Sequence, residues 1–261
     1  MEISAPAHWH TVDFLSDLHL DRTEAPTTQA FLRYLEQTPA QALFLLGDIF
    51  EVWIGDDALH VDGGVEQHVA AALRDVSQRA AIFIMGGNRD FLMGNAFMHA
   101  SGAQALQDPS VLYASGQGYL LTHGDAHCLG DTAYLAFRAM VRSADWQQQF
   151  LSKPLSERQM LGRQMRAQSE AHKATARANA PLQWHDLDTQ ACLESLENVG
   201  VNTMIHGHTH HPATHDLGSG KTRWVLSDWD VSEHPPRAQV LRLSISPSGS
   251  GALQRMPVLG S

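Results

Sequence analysis

Oxygen and nitrogen donors recur just past the ends of short apolar runs. Asp17-Leu18-His19 follows one run, Gly47-Asp48 a second, and Gly86-Gly87-Asn88-Arg89-Asp90 a third; His123-Gly124-Asp125 and His206-Gly207-His208 follow two more. Carboxylate, imidazole and carboxamide groups without a thiolate suit Mn²⁺, Fe²⁺ or Zn²⁺ in a reactive site better than a structural zinc. Asp17, His19, Asp48, Asn88, His123, His206 and His208 are too many ligands for one tetrahedral ion. They suit two octahedral ions that share a carboxylate. Two such ions about 3.5–4 Å apart can clamp an in-line displacement at phosphorus, so the pattern points to hydrolysis of a phosphoester or phosphoanhydride.

Strand ends are expected to position these groups. The segments TVDFLSD (11–17), ALFLLGD (42–48) and AIFIMGGN (81–88) are apolar runs of strand length, and TTQAFLRYLEQ and VEQHVAAALRDVSQ between them read as helices. That alternation predicts an α/β sheet with ligands at the carboxyl ends of its strands. Alternating side chains would put Asp17 and His19 on one face of an extended segment. A second group, SVLYA, GYLLTHGD, VNTMIHG, ATHDLG, TRWVLSD and AQVLRLSIS, reads as a largely antiparallel partner sheet. SPSGSGALQ near the C-terminus reads as a fraying tail.

Within VNTMIHGHTHHP, residues 201–212, Gly207 lets the chain turn so that His206 and His208 can serve different ions. His210 shares their parity and is expected to support the ligands rather than bind metal, as is Asp125. His211 and His127 receive no firm role, and surface or capping roles are assigned to the other histidines.

The chain has 261 residues, a formal charge of -10 and 43% apolar residues, which is enough to bury a core as one domain over 1–261. Its acidity argues against general nucleic-acid binding. Cys128 and Cys192 are too few for a disulfide framework, no run is long enough to span a membrane, and the N-terminus lacks a signal-peptide pattern. A cytoplasmic location is expected. Charge is uneven: a helical insertion at 132–178 carries a net +5 against -15 for the rest. Ser156 and Gln159 look like a capping box opening a helix to about Asn179. On it Arg166, Ser169, Lys173 and Arg177 form one stripe, so the insertion reads as a cap with an anion-facing side. A solvated helical face is the competing reading of that charge.

The ordered series D-x-H, GD, GN, HGD, GHTH resembles the calcineurin-like metallophosphoesterases. FLSDLHL, LFLLGDIFEVWIGDD, MGGNRDFL, LTHGD and IHGHTHHPA are similar to the UDP-2,3-diacylglucosamine diphosphatase family among them. The resemblance implies an α/β fold of that superfamily: a β-sandwich flanked by helices, with the helical cap inserted. It implies two Mn²⁺ ions, with Fe²⁺ or Zn²⁺ as alternatives. One ion would be held by Asp17, His19, Asp48 and His208, the other by Asp48, Asn88, His123 and His206, with Asp48 also holding a bridging hydroxide. That hydroxide would attack the α-phosphorus of UDP-2,3-diacylglucosamine, giving UMP and 2,3-diacylglucosamine 1-phosphate for lipid A synthesis.

Many relatives carry GNH where this chain has Gly87-Asn88-Arg89. The permanent cation Arg89, with Asn88, would hold phosphate oxygens rather than donate a proton. Asn88, Arg89, Asp131, Ser169, Lys173, Arg177 and His206 are the implied substrate contacts. A family lysine falls on Ala176, with Arg177 as the nearby substitute. Phe137, Met140, Val141, Phe150, Met160, Leu161 and Met165 could face acyl chains or pack the cap on the body. The resemblance further implies peripheral attachment to the cytoplasmic face of a bacterial inner membrane, with no obligate protein partner. Two other readings compete: a metallophosphoesterase for a soluble nucleotide or phosphomonoester, and a non-catalytic scaffold of the same fold. Retention of the whole ligand set argues against the scaffold.

Overall fold

Alternation along the strands sorts the apolar residues into layers. In β2 (Thr11–Leu15), β3 (Ala42–Leu46) and β4 (Ala81–Met85), Val12, Phe14, Ala42, Phe44, Leu46, Phe83 and Met85 face inward between two sheets. Leu15, Leu43, Leu45, Ile82 and Ile84 point the other way, under α1 (Ala25–Gln37) and α2 (Val65–Val76). Both faces of these strands are covered, which is why their sequences are almost continuously apolar. The computed structural model describes residues 1–22, 25–179 and 186–258, with the backbone alone for 168–179.

One sheet contains β2, β3, β4 and β5 (Gln104–Leu106), all parallel, extended beyond β2 by the antiparallel pair β11 (Gln239–Ile245) and β12 (Gly251–Pro257). The other runs β1 (Glu2–Ser4), β6 (Ser110–Ala114), β7 (Gln117–Thr122), β8 (Thr203–His206), β10 (Lys221–Val225) and β9 (Thr214–Gly218). It is mixed rather than largely antiparallel, since β1–β6, β7–β8 and β8–β10 are parallel pairs. AQVLRLSIS becomes β11 and joins the first sheet, because its pairing with β2 places Val240, Leu241 and Leu243 in the cores. The expected fraying tail, 246–254, instead supplies the turn after β11 and, from Gly251, the first residues of β12. Its backbone pairs with β11 along the whole strand, so it is held by a ladder that composition does not reveal.

Three helices form the insertion: α4 (Thr132–Val141), α5 (Ala144–Leu151) and α6 (Leu155–Asn179); α3 (Asn95–Ser101) and α7 (Thr189–Val199) lie elsewhere. Helix α6 starts at Leu155, so Ser156 lies inside the first turn rather than capping it. Val141 and Phe150 are buried, and Leu161 and Met165 pack on the helix-side core, whereas Phe137, Met140 and Met160 stay exposed. Arg158 anchors α6 to the body through Asp57, with Nη1 2.9 Å from Oδ1, and through the carbonyl of Ile54. Among the described residues no helix is long and apolar enough to cross a membrane.

The inter-sheet core turns on Phe44, whose ring stacks 4.7 Å from Phe83 and 5.4 Å from Phe14. Phe44→Ala is expected to destabilise the protein by about 3–5 kcal/mol, read as a lower denaturation midpoint with an unchanged slope.

Candidate active site

The carboxyl ends of β2, β3, β4, β7 and β8 meet at one edge, where the two sheets are laced together. Asp17 N donates to Gly47 O within one sheet's edge and Gly207 N to His123 O within the other's, and His208 N crosses between the sheets to Asp17 Oδ2 at 2.9 Å. Asp17, His19, Asp48, His208 and His210 all have positive φ, between 48° and 71°. Each left-handed non-glycine residue costs roughly 1–2 kcal/mol and persists where its surroundings leave no alternative. The expected strand parity therefore does not hold: β2 ends at Leu15 and β8 at His206, and left-handed turns aim the side chains beyond.

Two groups of donors result. In the first, His210 Nε2 lies 3.3 Å from Asp17 Oδ1 and 3.2 Å from His19 Nε2. In the second, Asn88 Oδ1 lies 3.0 Å from His123 Nε2 and 2.9 Å from His208 Nδ1, and Asp48 Oδ2 is 3.7 Å from His123 Nε2. Asp17, Asp48 and His123 also converge with one another, joining the groups. His210 stands beside Asp17 and His19, and His208 stands beside Asn88, which also meets His123. His206 is fully buried behind the same edge. Its Nδ1 is 2.7 Å from the Gly207 carbonyl and its Nε2 has no hydrogen-bond partner.

These residues fit metal ions. Donor atoms about 3.0–3.4 Å apart are the edges of a coordination shell with bonds near 2.1 Å. Asp17 Oδ1 is buried without a hydrogen-bond partner, an arrangement that is costly unless a cation fills it. His123 Nδ1 is 2.9 Å from Leu46 O, a contact that engages this nitrogen with the backbone and leaves Nε2 facing the second group.

Asp90 holds the centre in place. Its Oδ1 accepts from Gly87 N and Asp48 N at 2.8 and 3.1 Å, and its Oδ2 from Ile49 N at 2.7 Å, while Arg89 N donates to Asp48 Oδ1 at 2.7 Å. Gly87 is required here, because a Cβ would sit 2.3 Å from Asp48 Oδ1. At Gly207 a Cβ would sit 2.3 Å from Asp17 Oδ2. Asp90 belonged to the strand-end series but suggested no role in sequence.

The cap reaches the same place. Asp125 Oδ2 accepts from Tyr134 Oη at 2.5 Å and Arg138 Nε at 2.8 Å, Tyr134 lies over the His208 ring at 6.1 Å, and Arg142 donates to the Gly87 carbonyl at 3.0 Å. Tyr134, Arg138 and Arg142 are spaced i, i+4, i+8, a signal that sequence reading passed over. Asp131 caps α4 by accepting from Tyr134 N at 2.9 Å. The expected substrate contacts Ser169, Lys173 and Arg177 lie outside the described side chains. His127 contacts Ser195 Oγ at 2.9 Å, and His211 is exposed.

Burial opposes a charge on His123, but the Asp48, Asp17 and Asp125 carboxylates outweigh it and push the imidazole up to about 9. Burial takes His208 and His206 down to about 3, so they stay neutral. Burial also opposes the Asp17 charge, yet His210, His123 and His19 hold its carboxyl well below the usual range. Burial and the Asp48 charge lift Asp90 to about 6. Metal-free protein thus keeps a proton on His123 below pH about 9, and binding at Nε2 must expel it. Calorimetric Mn²⁺ titrations at pH 7.5 in buffers of different ionisation enthalpy are expected to show about one proton released per chain from this group. Affinity is expected to weaken as pH falls, and release to vanish well above pH 9.

The sequence model of calcineurin-like phosphoesterases matches residues 10–212. The UDP-2,3-diacylglucosamine hydrolase of Chromobacterium violaceum is 44% identical over 220 residues, covering 84% of this chain and 90% of that protein. The protein of the same name from Ralstonia nicotianae is 40% identical over 255 residues, 95% of this chain and 92% of its own length.

Proposed function

Because the chain belongs to the calcineurin-like phosphoesterases, and within them to the UDP-2,3-diacylglucosamine hydrolase family, we propose that it hydrolyses the pyrophosphate bond of UDP-2,3-diacylglucosamine. The observation that carries this reading is the pair of donor groups joined at Asp17 and Asp48 with the Arg89 guanidinium close by. Water adds to the α-phosphorus, the bond from that phosphorus to the bridging oxygen breaks, and UMP and 2,3-diacylglucosamine 1-phosphate leave. The departing group is a phosphate monoester, which carries its charge without a strong proton donor, consistent with an arginine rather than a histidine at position 89.

Asp17, His19, Asp48 and His208 would hold one divalent ion, and Asp48, Asn88, His123 and His206, whose buried Nε2 has no hydrogen-bond partner, the other, with His210 beside the first group and Mn²⁺ as the proposed metal. Two such ions supply activation of water near neutral pH and neutralisation of charge on phosphorus-bound oxygens. Asp90 and the Arg89 N–H keep Asp48 aimed at both groups. Arg89 and Asn88 orient the phosphate oxygens, and the Asp125–Tyr134 pair steadies the His208 ring.

The exposed cap residues Phe137, Met140, Leu151 and Met160 are the proposed contact with acyl chains or a membrane surface on the cytoplasmic side. Flotation with anionic phospholipid vesicles is expected to carry the protein upward, and Met140→Glu combined with Met160→Glu to reduce this.

Chelated protein given Mn²⁺ is expected to release UMP from UDP-2,3-diacylglucosamine and to turn over UDP-GlcNAc and an aryl phosphate poorly. Equal turnover of all three sinks the lipid assignment in favour of a general phosphoesterase. Asp48→Ala and His123→Ala are expected to lower that rate by roughly 100-fold or more through loss of metal ligands.

A further inference from the structure

Glu51 is buried, 8% exposed, just beyond β3, and neither metal group uses it. Three elements nevertheless converge on its one carboxylate. Oε2 lies 2.8 Å from His19 Nδ1; Oε1 lies 3.1 Å from Arg89 Nη1, on the loop that carries Asn88, and 2.5 Å from Arg166 Nη1, on α6 of the cap. His19 turns its other nitrogen to Asp17 and His210. A carboxylate behind a ligating imidazole fixes its tautomer and ring direction and raises its basicity. The His19–Glu51 pair lies at bonding distance but off the hydrogen-bond direction, so a rotation of the ring about its place completes it.

We propose that Glu51 is a positioning residue that, through one carboxylate, sets the His19 imidazole for the first metal ion and pins cap helix α6 over the same site. Arg166 has 42% of its side chain exposed, so without Glu51 little would order it there. The cap is thereby tied to the metal-binding edge by a charge pair rather than by apolar packing alone. Substrate access and metal affinity then share one residue. The inference rests on reading Asp17 and His19 as metal ligands.

Mn²⁺ binding to metal-stripped, full-length protein and hydrogen exchange in α6 test it together, with Asp48→Ala as the reference for losing a ligand. Glu51→Ala is expected to weaken binding of one ion by about 10- to 100-fold, the usual effect of removing a partner of a ligating histidine, and to speed exchange in α6. Glu51→Gln keeps an oxygen that can accept from His19 but loses the charge. It is expected to restore affinity to within about threefold of wild type while α6 still exchanges fast. Should Glu51→Ala not fold, Arg166→Ala on the exposed side of the contact must still speed exchange in α6.

Wild-type Mn²⁺ affinity in Glu51→Ala beside a loss in Asp48→Ala overturns the proposal, as does unchanged α6 exchange in the Glu51 or Arg166 variants. Failure of Gln to restore affinity overturns the assigned hydrogen bond. Undiminished binding in Asp48→Ala removes the metal reading itself, and the inference with it.

Discussion

Two carboxylates, Asp17 and Asp48, are buried side by side at the ends of adjacent parallel strands. Removing two like charges from water is costly unless cations and hydrogen-bond donors surround them. The site is organised around that constraint. His123 takes up positive charge readily because the carboxylates outweigh its burial, whereas Asp90 is pushed toward its neutral form by burial and by Asp48. Backbone N–H groups from 48–50, 87 and 89 point inward at Asp48 and Asp90, which accounts for the glycine at 87. The aromatic layer of Phe14, Phe44 and Phe83 beneath the strands gives these loops a stiff base.

The cap meets this centre mainly through polar groups. Asp125 holds Tyr134 and Arg138, Glu51 holds Arg166, and Asp57 holds Arg158. Each of these acids lies on the body and each partner on the cap. The net positive charge of the insertion is partly used in docking, through Arg138, Arg158 and Arg166. Its apolar residues divide as well: Val141 and Phe150 pack inward, while Met140 and Met160 remain exposed.

Strand-end chemistry was legible because it depends on composition and local order. Apolar runs ending in Asp17, Asp48, Asn88, His123 and His206 mark the edge at which loops from parallel strands collect, and oxygen and nitrogen donors without thiolate mark the class of ion. The backbone turn that places His208 and His210 was not legible. Parity assumes extended backbone, but His208 and His210 lie past the last residue of β8 with φ of 71° and 56°. A left-handed turn exchanges which side chains face inward, and the turn is imposed by contacts with Asp17 across the sheet boundary.

Long-range pairing set the remaining limits. β11 reads like a member of the second group of strands because sequence neighbours usually pair, yet it lies beside β2, some 230 residues earlier, where Arg242 meets Asp13. The stretch leading into β12 looks disordered in composition because Gly and Ser carry little apolar signal, and β12 is ordered by its ladder with β11 and by the packing of Leu253 and Met256 on the cores. Glu51 lies in a segment that carries the family resemblance but offers no role in sequence, since His19, Arg89 and Arg166 meet there from three separate segments. By itself the sequence determined the ligand types, the strand ends that bear them and the inserted cap, because these follow from local pattern. Which imidazole joins which carboxylate, and which acid holds the cap, was decided by the tertiary structure, because close contacts between distant segments exist only once the two sheets have closed on their shared core.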